Sequence, residues 1–288
     1  MKKRVGGKNG GGPTAAGQPA RRGLTLPELM LSIALMSLVA LAMAALSTAV
    51  RSTRNYAEGQ GTAAQHARVV LARIRGTVEK AYATDDFPGM TVLTTQVGTY
   101  GFPDTLVVWK PAGGTPVNVL GPPLYSELVI FCPDPRAPYR LVEITVPTDT
   151  RATPALSDTA AWATNVASIK TSTSATKTVL TDLLRLADAS AASSSGNANP
   201  STAQLRAAVR FCLAVRPSQT AWANYKSGTT TWDGLPWVQG IRGTQTGLRQ
   251  SWLRTELQLI SAPSTTATAN AVAIPFFGSA ALYYELKK

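Results

Sequence analysis

Glu28 is followed by an unbroken run without a charge, positions 29–50, which ends at Arg51. It is built from Leu, Met, Ile, Val and Ala, with Ser32, Ser37, Ser47 and Thr48 as its only polar members. As an α-helix such a run is roughly 33 Å long, enough to cross a hydrocarbon core of ~30 Å. A soluble core helix of this length usually keeps a polar face, and this run has none. Lipid is therefore the expected solvent. Six Lys or Arg residues precede the run (Lys2, Lys3, Arg4, Lys8, Arg21 and Arg22), with no acid among residues 1–23, and Arg51 and Arg54 follow it closely. The cytoplasmic bias of positive charge puts residues 1–23 inside and the bulk of the chain outside. This first segment is polar, glycine-rich and free of apolar periodicity, and reads as a disordered leader. Three fates stay open: an uncut anchor, a secretory signal cut near residues 42–44, or a leader cut on the cytoplasmic side ahead of the apolar run. A secretory signal has an apolar core of about 7–15 residues, shorter than this one.

The formal net charge is +12, but the leader carries half of it. The rest of the chain sets 22 basic against 16 acidic residues, dispersed along its length, so nucleic acid is not an expected partner. His66 is the single histidine, and Cys132 and Cys212 are the only cysteines. A multi-histidine metal site and a four-cysteine zinc site are excluded, and a Ser-His-Asp centre would have to use His66. Cys-x-x-Cys, dinucleotide-binding glycine, phosphate-loop, zinc-protease and nucleophile-elbow motifs are all missing. The expectation is a protein that is not an enzyme, with no cofactor, metal or catalytic residue.

Residues 22–28 read Arg-Gly-Leu-Thr-Leu-Pro-Glu immediately before the apolar run. This junction resembles the processing and methylation motif of type IV pilins and type II secretion pseudopilins. The resemblance covers roughly residues 22–51. It implies cleavage after Gly23 by a prepilin peptidase, N-methylation of the new first residue Leu24, and a glutamate fifth in the mature chain, Glu28. In that family the glutamate serves assembly, facing the ammonium of Leu24 in the same or a neighbouring subunit. The sequence departs from the family pattern at Leu24, where Phe is preferred, and at Pro27, where Ile, Leu or Val is. The residues also allow a local role. Thr25 and Glu28 have capping-box spacing, Pro27 falls in the tolerated first turn, and Glu28 suits the helix dipole. A carboxylate at the edge of a membrane span usually has a partner, and the two roles are compatible.

The helical pattern is expected to continue past Arg51. Ala67, Val70, Leu71, Ile74, Val78 and Ala81 recur at spacings of three and four as one apolar stripe, and Gly59 and Gly61 suggest a bend. Asp85, Pro88 and Gly89 then break the helix. Strand-like runs follow at 90–97, 105–109, 124–132, 139–146, 205–215, 251–260, 271–277 and 280–286, separated by proline and glycine. In 251–260, Leu253, Thr255, Leu257 and Leu259 alternate with polar neighbours, as in a sheet with one wet face. Residues 148–178 give weak signals, 179–187 look helical, and 188–202 read as a flexible loop. The organisation expected is a leader (1–23), a transmembrane half-helix (24–50), an amphipathic half-helix (51–84) and an extracytoplasmic β-rich head (85–288). Its fold class is α+β and pilin-like, a long N-terminal helix on a mainly antiparallel sheet.

Cys132 and Cys212 sit in strand-like runs far apart in the chain. A disulfide between them and two separate buried thiols are equally compatible with the sequence. Trp222, Tyr225, Trp232 and Trp237 crowd a Gly/Thr-rich stretch, either pinning a long loop to the core or forming a contact surface. The resemblance implies a structural subunit of a type II secretion pseudopilus or a type IV pilus, held in the inner membrane before entering a filament. Its partners would be the prepilin peptidase, other pilin or pseudopilin subunits, the inner-membrane assembly platform and lipid. Cleavage after Gly23 would leave a mature chain spanning 24–288. That is large for a major subunit and resembles the J-type pseudopilins or the W-type minor pilins. The alternative is a membrane-anchored binding protein or adhesin.

Overall fold

The computed structural model describes residue 23 and residues 25–97, 100–119, 121–188, 205–266 and 273–288. The leader expected at 1–22, Leu24 and nearly all of the loop expected at 188–202 lie outside them. The chain is α+β, with two compact units, Met1–Arg54 and Asn55–Lys288. Helix α1 (Leu26–Val78) is continuous through both.

In the second unit, strands β1 (Met90–Val97), β2 (Tyr100–Trp109), β3 (Leu128–Pro133), β4 (Leu141–Thr145) and β5 (Thr176–Thr181) form an antiparallel sheet in that order. Helix α2 (Thr159–Thr171) lies between β4 and β5 in the chain. Strands β6 (Leu186–Asp188) and β7 (Leu205–Ala207) pair with each other. Then come β8 (Val209–Arg216), helix α3 (Gln219–Lys226), β9 (Thr246–Leu259) and β10 (Ile274–Lys287). The last three strands make a second antiparallel sheet, ordered β10-β9-β8.

Ala63, Ala67, Val70, Ile74 and Val78 form one buried stripe of α1. It packs with Leu106 and Val108 of β2, Val129 and Phe131 of β3, Phe211 of β8 and Leu253 and Leu257 of β9 in one core. Side chains alternate across a strand, so the intervening Val107, Ile130, Cys132, Val142 and Ile144 face the other way. There Trp162, Val166 and Ile169 of α2 cover them. The first sheet is thus buried on both faces. The second keeps an open face, as the alternation of β9 implies: Leu253, Thr255 and Leu257 are buried while Trp252 and Arg254 are exposed.

Several expectations need correction. Helix α1 ends at Val78 instead of near residue 84, because the backbone is captured by the first sheet: Tyr82 N–H donates to the Trp109 carbonyl at 2.8 Å. Ala81 still packs on the core from outside the helix. The helix is unbroken at Gly59. A Cβ there would lie 2.5 Å from the Ser261 Cβ, so glycine admits close approach of the chain beyond β9. Residues 179–187 are not helical. Their leucines are the end of β5 and a crossing between sheets, with Leu184 N–H donating to Tyr139 O and Ile260 N–H to Leu183 O. A segment buried on two sides mimics helical periodicity. Helix α2 lay hidden in the Thr/Ala-rich stretch. Its signals are the Asp158 cap, which accepts from Ala161 N–H at 3.0 Å, and the spacing of Trp162, Val166 and Ile169. The described parts of the runs expected at 271–277 and 280–286 join in one strand, Ile274–Lys287, and 205–215 splits at Ala208, whose N–H and C=O bond Arg185 and Gln258.

Two arginines tie elements together. Arg73 of α1 makes a bidentate pair with Glu143 of β4, both contacts at 2.6 Å. Arg249 of β9 is fully buried. It donates to Pro217 O at 2.9 Å, Gln219 Oε1 at 2.8 Å and Asp85 O at 3.4 Å. Burial pulls its pKa below the usual arginine value, and carbonyl acceptors replace its lost hydration. Ser251 adds a 2.6 Å bond to Pro88 O, so β9 clamps the loop that follows α1.

The bridge weighed for Cys132 and Cys212 is not formed. Both thiols are free. Cys132 points toward α2 from the first sheet, and Cys212 sits on β8 opposite Arg254, whose Nη2 is 3.7 Å from its sulfur. They occupy different sheets. Burial pushes the Cys132 thiol up to about 12, while Cys212 is half-buried.

Iodoacetamide should therefore modify only Cys212 in the native protein and both thiols after denaturation without reductant. Mass spectrometry finding neither modified in the denatured protein would establish a bridge. Ile74, 2% exposed, and Val69, 62% exposed, lie on opposite sides of the same helix. Ile74→Ala should cost about 2–5 kcal/mol and Val69→Ala less than about 0.5 kcal/mol. Chemical denaturation followed by head-domain tryptophan fluorescence measures both.

Candidate functional site: the N-terminal helix

The first unit is the start of α1. Thr25 stands at the N-cap, where its carbonyl accepts Leu29 N–H at 3.1 Å. Glu28 reaches back with one oxygen, Oε2, which accepts Thr25 N–H at 3.0 Å and the Thr25 hydroxyl at 2.9 Å. This is the reciprocal half of a capping box; the threonine hydroxyl donates to the carboxylate. Pro27 falls in the first turn, where its missing N–H would have had no helical partner. Gly23 precedes the cap in open space, and a Cβ placed on it would meet no atom within 4 Å. Leu24 lies outside the described residues.

Beyond the cap, the apolar run is exposed on every side. Leu26 and Leu41 are each 74% exposed, and Met30, Leu35, Leu38 and Val50 are open too. The run's hydroxyls are turned back on the helix: Ser32 donates to Leu29 O at 2.9 Å, Ser37 to Ile33 O at 2.7 Å and Thr48 to Ala44 O at 2.9 Å. Three of the run's four hydroxyls are thereby satisfied within the segment, as hydrocarbon requires. The helix is long and apolar enough to cross a membrane.

Other sequence candidates sit elsewhere. Trp222, Trp232 and Trp237 are buried with Leu235 and Leu286 in a small core of their own. The Trp232 indole donates to Gly243 O at 2.9 Å and the Trp237 indole to Trp232 O at 3.0 Å. These rings pin the segment between α3 and β9 and present no exposed platform. His66 Nδ1 is 3.1 Å from Thr181 Oγ1, joining α1 to β5. Cys132 and Cys212 are not brought together.

Sequence reasoning missed two buried acids. Glu127 accepts from the Trp109 indole at 3.1 Å, Val117 N–H at 2.6 Å and Leu124 N–H at 3.1 Å, holding the loop before β3. Asp104 accepts from the hydroxyls of Thr95 at 2.7 Å and Thr105 at 2.8 Å, and Lys170 Nζ donates to Thr105 Oγ1 at 2.6 Å. The latter set lies in a cleft of about 820 Å³ between β1, the β3–β4 turn and α2. Among the described residues its lining contains neither histidine nor cysteine, and the buried Arg206 Nε on its wall has no hydrogen-bond partner. No local signal marked it in sequence, because Thr95, Asp104 and Lys170 are distant in the chain and meet only in the fold.

No curated protein and no solved structure matches the chain. Residues 18–44 match the prokaryotic N-terminal methylation motif. The matched segment contains Gly23, Leu24 and Glu28 and the first part of the exposed apolar helix, and together they support a pilin-like subunit of a pilus or pseudopilus, with a structural role and a single-pass anchor.

Proposed function

We propose that this protein is a minor pilin-like subunit, cut after Gly23 and methylated on Leu24, that moves from the inner membrane into a filament. Its leader would face the cytoplasm and its head the other side. The observation that carries this reading is the coincidence of the methylation motif with a helix exposed on all sides. A helix apolar all round needs lipid before assembly and other helices after it. The size of the head favours a J-like or W-like position over that of a major subunit.

Glu28 has two tasks in this reading. Cleavage after Gly23 leaves Thr25 intact, so the cap on Oε2 survives processing. The carboxylate's remaining lone pairs then receive the ammonium of Leu24, from its own chain or a neighbour. In lipid the attraction between these charges is much stronger than in water, and either alone is penalised. The prepilin peptidase and the assembly platform are the partners this route requires.

Gly23→Ala should leave the leader largely uncut when the peptidase is present, and an immunoblot with normal processing would remove the cleavage site from the proposal. Mass spectrometry of the wild-type N-terminus should find N-methylated Leu24. Glu28→Gln should insert and be cleaved normally, since Gln also serves at that capping position, but should co-purify with filaments at well under half of the wild-type amount. Wild-type incorporation would reduce Glu28 to a helix cap.

A further inference from the structure

The cleft of about 820 Å³ between β1, the β3–β4 turn and α2 has β7 as a further wall. An irregularity in the β1–β2 ladder shapes it. Between the pairs Leu93↔Thr105 and Thr95↔Phe102, β2 has two residues, Pro103 and Asp104, against the single Thr94 of β1. Bulges of this kind re-aim side chains, and Asp104 and Thr105, though consecutive, both line the cleft. Asp104 is only 5% exposed, and Lys170 of α2 reaches it through the Thr105 hydroxyl, so this acid has a cation close by. Arg206 of β7 is placed differently. It stands opposite Ala187 in the β6–β7 pair, so no polar side chain faces it across the ladder. Its Nε is buried without a hydrogen-bond partner, and among the described residues no carboxylate forms an ion pair with it. A buried donor left unpaired costs free energy, and such a group in a folded protein calls for an explanation.

We propose that the cleft binds a ligand carrying one carboxylate on a partly apolar body, with Arg206 as the anchor. A guanidinium is a planar fork of donors that matches a carboxylate bidentately, and the unpaired Nε of Arg206 gives that fork a partner to gain. The charges on the wall set the valence of the anion. Three cations, Arg136, Lys170 and Arg206, stand against two acids, Asp104 and Asp134, a surplus of one positive charge. A carboxylate cancels that surplus, whereas a phosphate dianion overshoots it. The rest of the wall describes the body of the ligand. Leu93, Pro138, Val166 and Leu205 supply apolar surface, and Thr94 and Thr171 supply exposed hydroxyls. Such mixed walls are typical of sites for organic ligands, whose volumes run from about 300 to 1,000 Å³. A free organic acid and the acidic side chain of a peptide both offer this chemistry. The site lies wholly within the second unit, and the proposal is independent of the filament reading.

The test is isothermal titration calorimetry on the purified full-length chain in detergent. The free-acid probe is N-acetylphenylalanine, and the peptide probe is a pentapeptide with both ends blocked and one central glutamate. Their controls are N-acetylphenylalanine amide and the same peptide with glutamine. At least one of the two acids should bind with a Kd of about 1 mM or tighter, and its amide at least tenfold more weakly. Binding of the free acid alone assigns the site to small organic acids, and binding of the peptide alone assigns it to a protein segment. Arg206→Gln should weaken the acid at least tenfold with an unchanged thermal melt. Arg68→Gln, at an exposed arginine that does not line the cleft, should leave the Kd as in the wild type. Absence of binding by both acids, equal binding of acid and amide, tighter binding of inorganic phosphate than of either acid, or a Kd indifferent to Arg206→Gln would each overturn the proposal.

Discussion

The central core of the second unit is built on one stripe of helix α1. Ala63, Ala67, Val70, Ile74 and Val78 are buried against the inner faces of both sheets, so the helix is the shared wall of a core that neither sheet could close alone. The alanines at its start matter because they are small. The chain beyond β9 approaches at Gly59, and β10 approaches Leu71 at Gly278, where a Cβ would come within 2.7 Å of the leucine methyl. Close backbone approach with well-filled space is how a narrow apolar stripe stabilises two sheets. The ion pair of Arg73 with Glu143 adds direction to a contact that burial leaves non-directional.

The same helix begins under the opposite rule. Over residues 29–50 no side chain is buried, and the apolar surface that would drive folding of a soluble element has no protein partner among the described residues. Its hydroxyls bond backward to carbonyls of the preceding turn, the solution open to a segment that cannot rely on water. One continuous secondary structure therefore passes from a lipid-suited surface to a core-forming stripe, with no change in backbone conformation.

The second sheet shows what polar residues contribute once the core exists. Arg249 gathers three acceptors from two separate segments, and Ser251 a fourth, so the loop after α1, the start of α3 and β9 are held as one body. Glu127 does the same for the loop before β3. Apart from the bond of Leu124 N–H to Glu127, three residues apart, these contacts are too distant in the chain to be recognised from residue spacing. Arg249 donates to backbone carbonyls and Glu127 accepts backbone N–H groups, so both buried charges are bound into the fold.

The local sequence by itself determined the N-terminal half of the site, because its signals are short-range. An uncharged run of fixed length, a basic flank, a glycine junction and a Thr-x-x-Glu cap act within a few residues of each other, and the α1 stripe was legible through its helical period. Alternation likewise identified β9, and strand-like runs bounded by proline and glycine identified most of the first sheet. The tertiary structure decided what depended on distant partners. It ended α1 at Val78 through the bond of Tyr82 to Trp109, and turned the leucines of 179–187 into a sheet crossing rather than a helix. It buried α2 against a strand face that no window of sequence contains. It also set Cys132 and Cys212 on different sheets, since two cysteines so distant in the chain carry no record of which face each will meet.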